Sequence, residues 1–352
     1  MSYIDDGLVI SGADLKNAVK AGVIENTAAE RLVAFILTTP AGDAADDERL
    51  RLVTGFNDIF VAIGLALFFG ALFFVAGIWA YAIAPVAAWG LSELFTRRMR
   101  MALPSIMLLV IFACSIFIGI AHLFSDSPTA TMWAPWWGKH APLVFTASAC
   151  ATLVGVALHW WRFHVPITVA AGVAALVGVL MGGLAAIMGN GFLNIALYVL
   201  LVLGLATFAL AMFFDMQDRL RRTQLADRAF WLHMLAAPMI IHSLMANLRS
   251  SGAGGAASTF ILFACVALVA LAIDRRALLV SSLGYLMVSF GSLANSFSAS
   301  DGSVHSLASS WGVLMVGVLV LLLSVAWRPL RARLLPLLPM AVQDKVPVIQ
   351  GR

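Results

Sequence analysis

Polar and ionisable side chains set inside long apolar stretches are the residues of this chain that could do chemistry, because such groups are expensive in hydrocarbon. Three sets stand out. His122 and Asp126 lie four residues apart at the end of an apolar run, followed by Trp133, Trp136, Trp137, Lys139 and His140. At helical spacing the His and the Asp face each other, and a His–Asp pair beside interfacial tryptophans suits acyl or lipid chemistry. The same residues also fit an interfacial anchor. The stretch from Phe230 to Arg249 holds His233, Pro238, His242 and Asn247. The two histidines are nine residues apart, so they point to opposite faces of a helix and cannot bind one metal together. His242 fits either a hydrogen bond between helices or a proton-sensitive group lining a cavity. Pro238 should kink this helix or free a carbonyl there. A third stretch carries Ser282, Tyr285, Ser289, Ser292 and Ser296 on one face, with Asn295 beside them. Such a face lines a wet cavity or glues helices together. A cavity, if present, is expected between these last two stretches, lined by His242, Tyr285, Ser289, Ser292 and Asn295.

Other chemistry has little support in the sequence. Cys114, Cys150 and Cys265 fall in apolar runs without disulfide or metal-ligand spacing, and read as small core residues. No phosphate-cradling glycine loop, HExxH or GxSxG is present. No catalytic residue, metal or cofactor is therefore assigned. Glu93 with Arg97, Asp215 with Arg219 and Asp218 with Arg222 stand at i and i+4, and Asp274 adjoins Arg275. All four acids read as solvated pairs at helix ends. Asp58, after Asn57, reads as a helix cap. No carboxylate sits clearly at the membrane midplane, which counts against a carboxylate-based proton pump.

The elements that must position these groups are membrane helices. Of 352 residues, 62% are hydrophobic and 11% charged; mean hydropathy is +0.96. No soluble domain could cover so much apolar side chain. Taking about 20 apolar residues per crossing, the expected fold is all-α, a polytopic helical bundle of about ten spans. They lie at roughly 57–78, 80–95, 103–124, 141–160, 165–188, 191–214, 229–249, 257–273, 277–298 and 305–327. Arginines follow each even-numbered span: Arg97, Arg98 and Arg100; Arg162; Arg219, Arg221, Arg222 and Arg228; Arg275 and Arg276; Arg328, Arg331 and Arg333. The opposite side holds only Lys139 and Arg249. Positive residues stay in the cytoplasm, so both termini are expected inside. Trp79, Trp133, Trp136 and Trp137 form an outer aromatic belt, and Trp89, Trp160, Trp161 and Trp327 an inner one. The fifth span carries Ala170, Ala174, Gly178, Gly182 and Ala186, a small-residue ladder that permits close helix approach within one chain or between two. The net charge of +4 is explained by this topology and does not indicate nucleic acid.

Residues 1–50 form an acidic head with a linker, ahead of a membrane domain at 51–335 and a cytoplasmic tail at 336–352. The start, Met1-Ser2-Tyr3-Ile4-Asp5-Asp6, lacks a basic n-region, so the first span is expected to act as an uncleaved signal. Two short helices fit the head, the second with Thr27 as N-cap and Glu30 completing a capping box. A unit this small cannot bury enough surface alone. It should dock on the membrane domain, a second copy of the chain or a cytoplasmic protein partner. The pattern Leu15…Ala21-Gly22-Val23-Ile24…Ala28-Ala29-Glu30-Arg31-Leu32, then a linker and a dense membrane block, resembles a large group of uncharacterised bacterial predicted membrane proteins. Those proteins open with a helix, a Gly-Ile/Val turn and a second helix. The resemblance covers about the first 80 residues. It implies a multi-pass protein of the bacterial inner membrane and carries no activity with it.

Three function classes follow. One is a small-molecule or lipid permease, for which ten spans would allow two five-helix halves of opposite orientation, although no internal sequence repeat is visible. Another is a non-catalytic subunit or sensor whose head meets a partner. The third, a membrane-embedded lipid-modifying enzyme, rests on His122, Asp126 and the tryptophan loop alone.

Overall fold

The computed structural model describes residues 12–38, 56–124, 140–218, 221, 223–250, 256–276, 278–280, 282–287, 304–343 and 345–347. Among them every regular element is helical. The chain divides into two units, residues 1–49 with 349–352, and residues 50–348.

In the first unit, α1 (Gly12–Lys20) and α2 (Asn26–Thr38) form a helical hairpin. Gly22 supplies the left-handed turn at φ +69°, and the Val23 amide bonds back to the Ala18 carbonyl. The expected capping box is not formed. The helix starts at Asn26, whose side chain reaches Glu30 at 3.0 Å. Thr27 Oγ1 turns back to Glu25.

In the second unit the helices are α3 (Phe56–Ala76), α4 (Ala80–Ser92), α5 (Ala102–Leu123), α6 (Ala141–Phe163), α7 (Ile167–Met188), α8 (Phe192–Gln217), α9 (Gln224–Ser250) and α10 (Ala256–Ile273). A short apolar helix α11 (Leu278–Met287) follows, then α12 (Val304–Leu334) and the terminal turn α13 (Met340–Gln343). Among the described residues, six helical runs are long and apolar enough to cross a membrane: Phe56–Arg98, Ala102–Leu123, Ala141–Phe163, Ile167–Gln217, Gln224–Asn247 and Val313–Leu337. This is a multi-pass membrane protein.

The count of ten is not reached among the described residues. Of the expected eighth and ninth spans, the described apolar stretches are Ser258–Ile273 and Leu278–Met287. The runs Phe56–Arg98 and Ile167–Gln217, each expected to be two spans, stay helical throughout, interrupted only by single 3-10 turns at Gly77–Trp79 and Gly189–Gly191. Both breaks open on a glycine at φ +56°, a backbone state that side-chain-bearing residues avoid.

Glycines also set the packing. A Cβ on Gly182 of α7 would lie 2.6 Å from Thr146 Oγ1 and 2.9 Å from Phe145 Cδ1 of α6, and one on Gly178 would lie 3.1 Å from Ala149 Cβ. The small-residue ladder therefore seats α7 on α6 of the same chain. Ala174, its second member, stays exposed. Gly155 admits the Ile116 side chain of α5, and Gly204 lets α8 meet Met239 and Ile240 of α9.

Two expectations about burial fail together. All three cysteines lie on exposed faces. An apolar run facing lipid on one side has no need to bury every small residue. Trp327, placed in the inner belt, is 1% exposed and sits in the core.

Candidate functional site

The described charges concentrate at one end of the second unit, where α8, α9, α10 and α12 terminate or begin. Asp215 lies near the end of α8 and is 1% exposed. Position 219, its expected partner, lies outside the described residues. Arg275, just beyond α10, donates Nε to Asp215 Oδ2 at 3.2 Å and Nη2 to Oδ1. This two-pronged geometry is the strongest form of an Arg–carboxylate pair. Arg275 Nη2 also reaches the Ala226 carbonyl of α9 at 3.1 Å. His233 of α9, fully buried, adds a bond from Nε2 to Asp215 Oδ2 at 2.9 Å. An ionised carboxylate only accepts, so the Nε2 proton is the donor.

Asp274 forms a second centre beside the first. Trp327 of α12 donates Nε1 to Oδ1 at 2.8 Å. Arg221 and Arg331 approach Oδ2 at 3.3 and 3.5 Å. Arg221 also donates to the carbonyls of Ile273 and Asp274 at 3.1 and 2.8 Å. It therefore caps the end of α10, where a cation is favoured by the unsatisfied carbonyls. Arg331 holds the Pro347 carbonyl at 2.6 Å, and Val346 is buried in the same core. Asp218 closes the set, accepting from the Thr223 amide and hydroxyl, both at 2.7 Å. Arg221 and Asp274 both hold left-handed backbone, at φ +51° and +56°. For non-glycine residues this conformation persists only where the surroundings over-determine it.

The reading of these acids as solvated is thereby corrected for Asp215, Asp218 and Asp274, which are buried. Arg219 and Arg222 lie outside the described residues. Sequence spacing finds partners along one helix, whereas the partners of Asp215 and Asp274 come from other helices and the segments between them. Glu93 keeps the expected bond to Arg97 at 3.3 Å and adds Arg162 of α6, with Nε–Oε1 at 2.7 Å. Asp58 lies buried in the first turn of α3.

The expected site residues are placed as follows. His242 Nδ1 meets the Tyr285 hydroxyl at 2.5 Å, so α9 and α11 do bring these two together. Ser289, Ser292 and Asn295 lie outside the described residues, as does Asp126. His122 ends α5 with its ring 5.5 Å from that of Tyr81. His233 stands out in the sequence as a polar residue of its stretch, but its convergence with Asp215 and Arg275 has no signal in local spacing.

Beside the charge cluster, a pocket of about 230 Å³ opens between α8, α9 and α10, lined by Leu205, Phe208, Ile240, Cys265, Val269 and Leu278 among others. The Phe208 ring packs edge-on to His233 at 5.2 Å, joining the pocket to the cluster. Among the described residues, no three His, Cys, Asp or Glu side chains converge on a metal-sized site. No family model, curated protein or solved structure matches the chain.

Proposed function

We propose that this protein is a permease for a small molecule or lipid in the bacterial cytoplasmic membrane, with the buried charge cluster as its inner gate. The observation that carries the reading is the cluster itself. Ionisable groups sealed among membrane helices are retained at substrate and ion pathways. Here they tie together four helix ends directly beneath an apolar pocket. A gate built of paired charges closes tightly and opens into water, where each group is rehydrated. The proposal includes ten crossings with both termini in the cytoplasm. Runs of 43 and 51 residues would extend about 65 and 75 Å if straight, twice the roughly 30 Å core. α5 packs against both α3 and α4, which favours a hairpin at Gly77.

The test places Ala237→Cys, in the pocket wall and 2% exposed, in a chain whose three native cysteines are replaced by Ala. In proteoliposomes an impermeant maleimide should leave position 237 unlabelled. With Asp215→Asn the gate loosens, and labelling should rise several-fold in protein that still elutes as a folded species. A variant that only melts earlier, with position 237 still unlabelled, makes the cluster a packing device and removes the support for transport.

A second reading has its own observation. On the head, Val23 is 74% exposed, and Leu32 and Val33 are also exposed. An apolar face on an acidic two-helix unit suits a subunit or sensor that recruits a cytoplasmic partner. Purification that retains a stoichiometric partner on the full chain, and loses it with Leu32→Lys, would favour that reading.

A further inference from the structure

A second pocket, of about 590 Å³, lies between the Gly77 break, α4 and the last two turns of α5. Its residues include Trp79, Tyr81, Pro85, Ser115, Gly119 and His122. Ser115 is 1% exposed, and its hydroxyl has no partner among the described residues. Ser92, Ser105, Thr146, Thr152, Thr207 and Ser243 all bond back to the carbonyl four residues earlier, the ordinary fate of a hydroxyl in an apolar helix. Thr96, Ser148 and Thr168 also lack partners among the described residues, but none of them lines this pocket. His122 Nδ1 is buried too and has no partner among the described residues. Ser115 and His122 are seven residues apart, so they share a face of α5 about 10 Å apart along the axis. Gly119 lies between them. A Cβ there would stand 3.2 Å from Tyr81 Cβ and 3.3 Å from the Tyr81 carbonyl, so glycine lets α4 close one wall.

We infer that this pocket binds an uncharged membrane lipid through a hydroxyl or carbonyl group. The wall is apolar, which suits an acyl or isoprenoid body, and two buried hydrogen-bonding atoms wait along it without partners. Such atoms cost free energy until a ligand satisfies them. None of the described lining residues is Lys, Arg, Asp or Glu, so the described wall offers no charge to a phosphate or an ammonium group. Trp79, 73% exposed, stands at the rim where amphipathic rings meet headgroups. This site lies apart from the charge cluster and does not depend on the transport reading.

Trp79 serves as the reporter. Purified full-length protein in detergent is titrated with a brominated monoacylglycerol, and tryptophan quenching is followed. Saturable quenching is expected, with the saturable part lost in Trp79→Phe. Ser115→Ala should weaken binding about tenfold, the loss of one buried hydrogen bond, at an unchanged melting temperature. Ala82→Trp, on the exposed side of the pocket, should fill it and abolish saturation. Native mass spectrometry of the same samples should show one bound monoacylglycerol, reduced in Ser115→Ala. A brominated lysophosphatidylcholine of equal chain length should quench only non-saturably. Equal saturable binding of that lipid, or an unchanged affinity in Ser115→Ala, overturns the inference and leaves an ordinary annular lipid contact.

Discussion

Side chains of the same type carry very different weight here according to where they sit. Arg97 is 57% exposed at its ion pair with Glu93, while Arg275 is 3% exposed at its pair with Asp215. An exposed pair is worth about 0–1 kcal/mol. Removing one partner of a buried pair leaves a stranded charge and costs about 3–5 kcal/mol. Arg275→Met should therefore lower the melting temperature in detergent sharply, and Arg97→Met should leave it within error. Comparable losses in both variants would mean that the cluster is hydrated. Trp327→Phe tests a smaller step. It keeps the ring's bulk and removes the donor to Asp274 Oδ1, for an expected loss of about 1–3 kcal/mol. At this scale the sequence was partly legible. The opposite faces of His233 and His242 follow from their spacing, and the two residues do part, one buried and one exposed. That Asp215 takes its arginine from position 275 could not be read, because local spacing holds no information about which helix ends meet.

At the scale of the helix, close approach depends on individual glycines. Gly182 and Gly183 are neighbours on α7, but only the first faces α6. A Cβ at Gly183 meets nothing within 4 Å. Gly182→Leu should push α7 off α6 and destabilise the detergent-solubilised protein, whereas Gly183→Leu should leave its melting temperature near wild type. If both melt as wild type, α6 and α7 are not held by this contact. The ladder was visible as a period of four in the sequence, and its partner became visible only once Phe145, Thr146 and Ala149 were placed opposite it. The element boundaries were largely legible too, since apolar runs end where glycine, proline and arginine accumulate. The failure was in deciding whether a glycine break separates two crossings or only bends one. Gly77 and Gly189 show the same local signal in either case.

For the whole molecule, that question becomes one of topology. Starting from a cytoplasmic N-terminus, a hairpin at Gly77 returns Arg98 to the cytoplasm, while a single crossing carries it out. In a cysteine-free background, Arg98→Cys should react with an impermeant maleimide only after cells are opened, and Ser251→Cys should react in intact cells. Labelling of position 98 from outside would reduce the first run to one crossing. The charge cluster has one more consequence, which concerns biosynthesis. Asp215, Asp274 and Arg275 emerge from the ribosome before Trp327, Arg331 and Pro347 exist. At roughly 5–20 residues per second, Asp274 waits several seconds for the donors that complete its shell. A nascent chain stopped before residue 327 has every preceding helix, yet carries that carboxylate without its indole and one of its two guanidinium partners. α12 and the segment after it thus close this shell late in synthesis, and chains truncated before residue 327 should be the ones that membrane quality-control proteases remove.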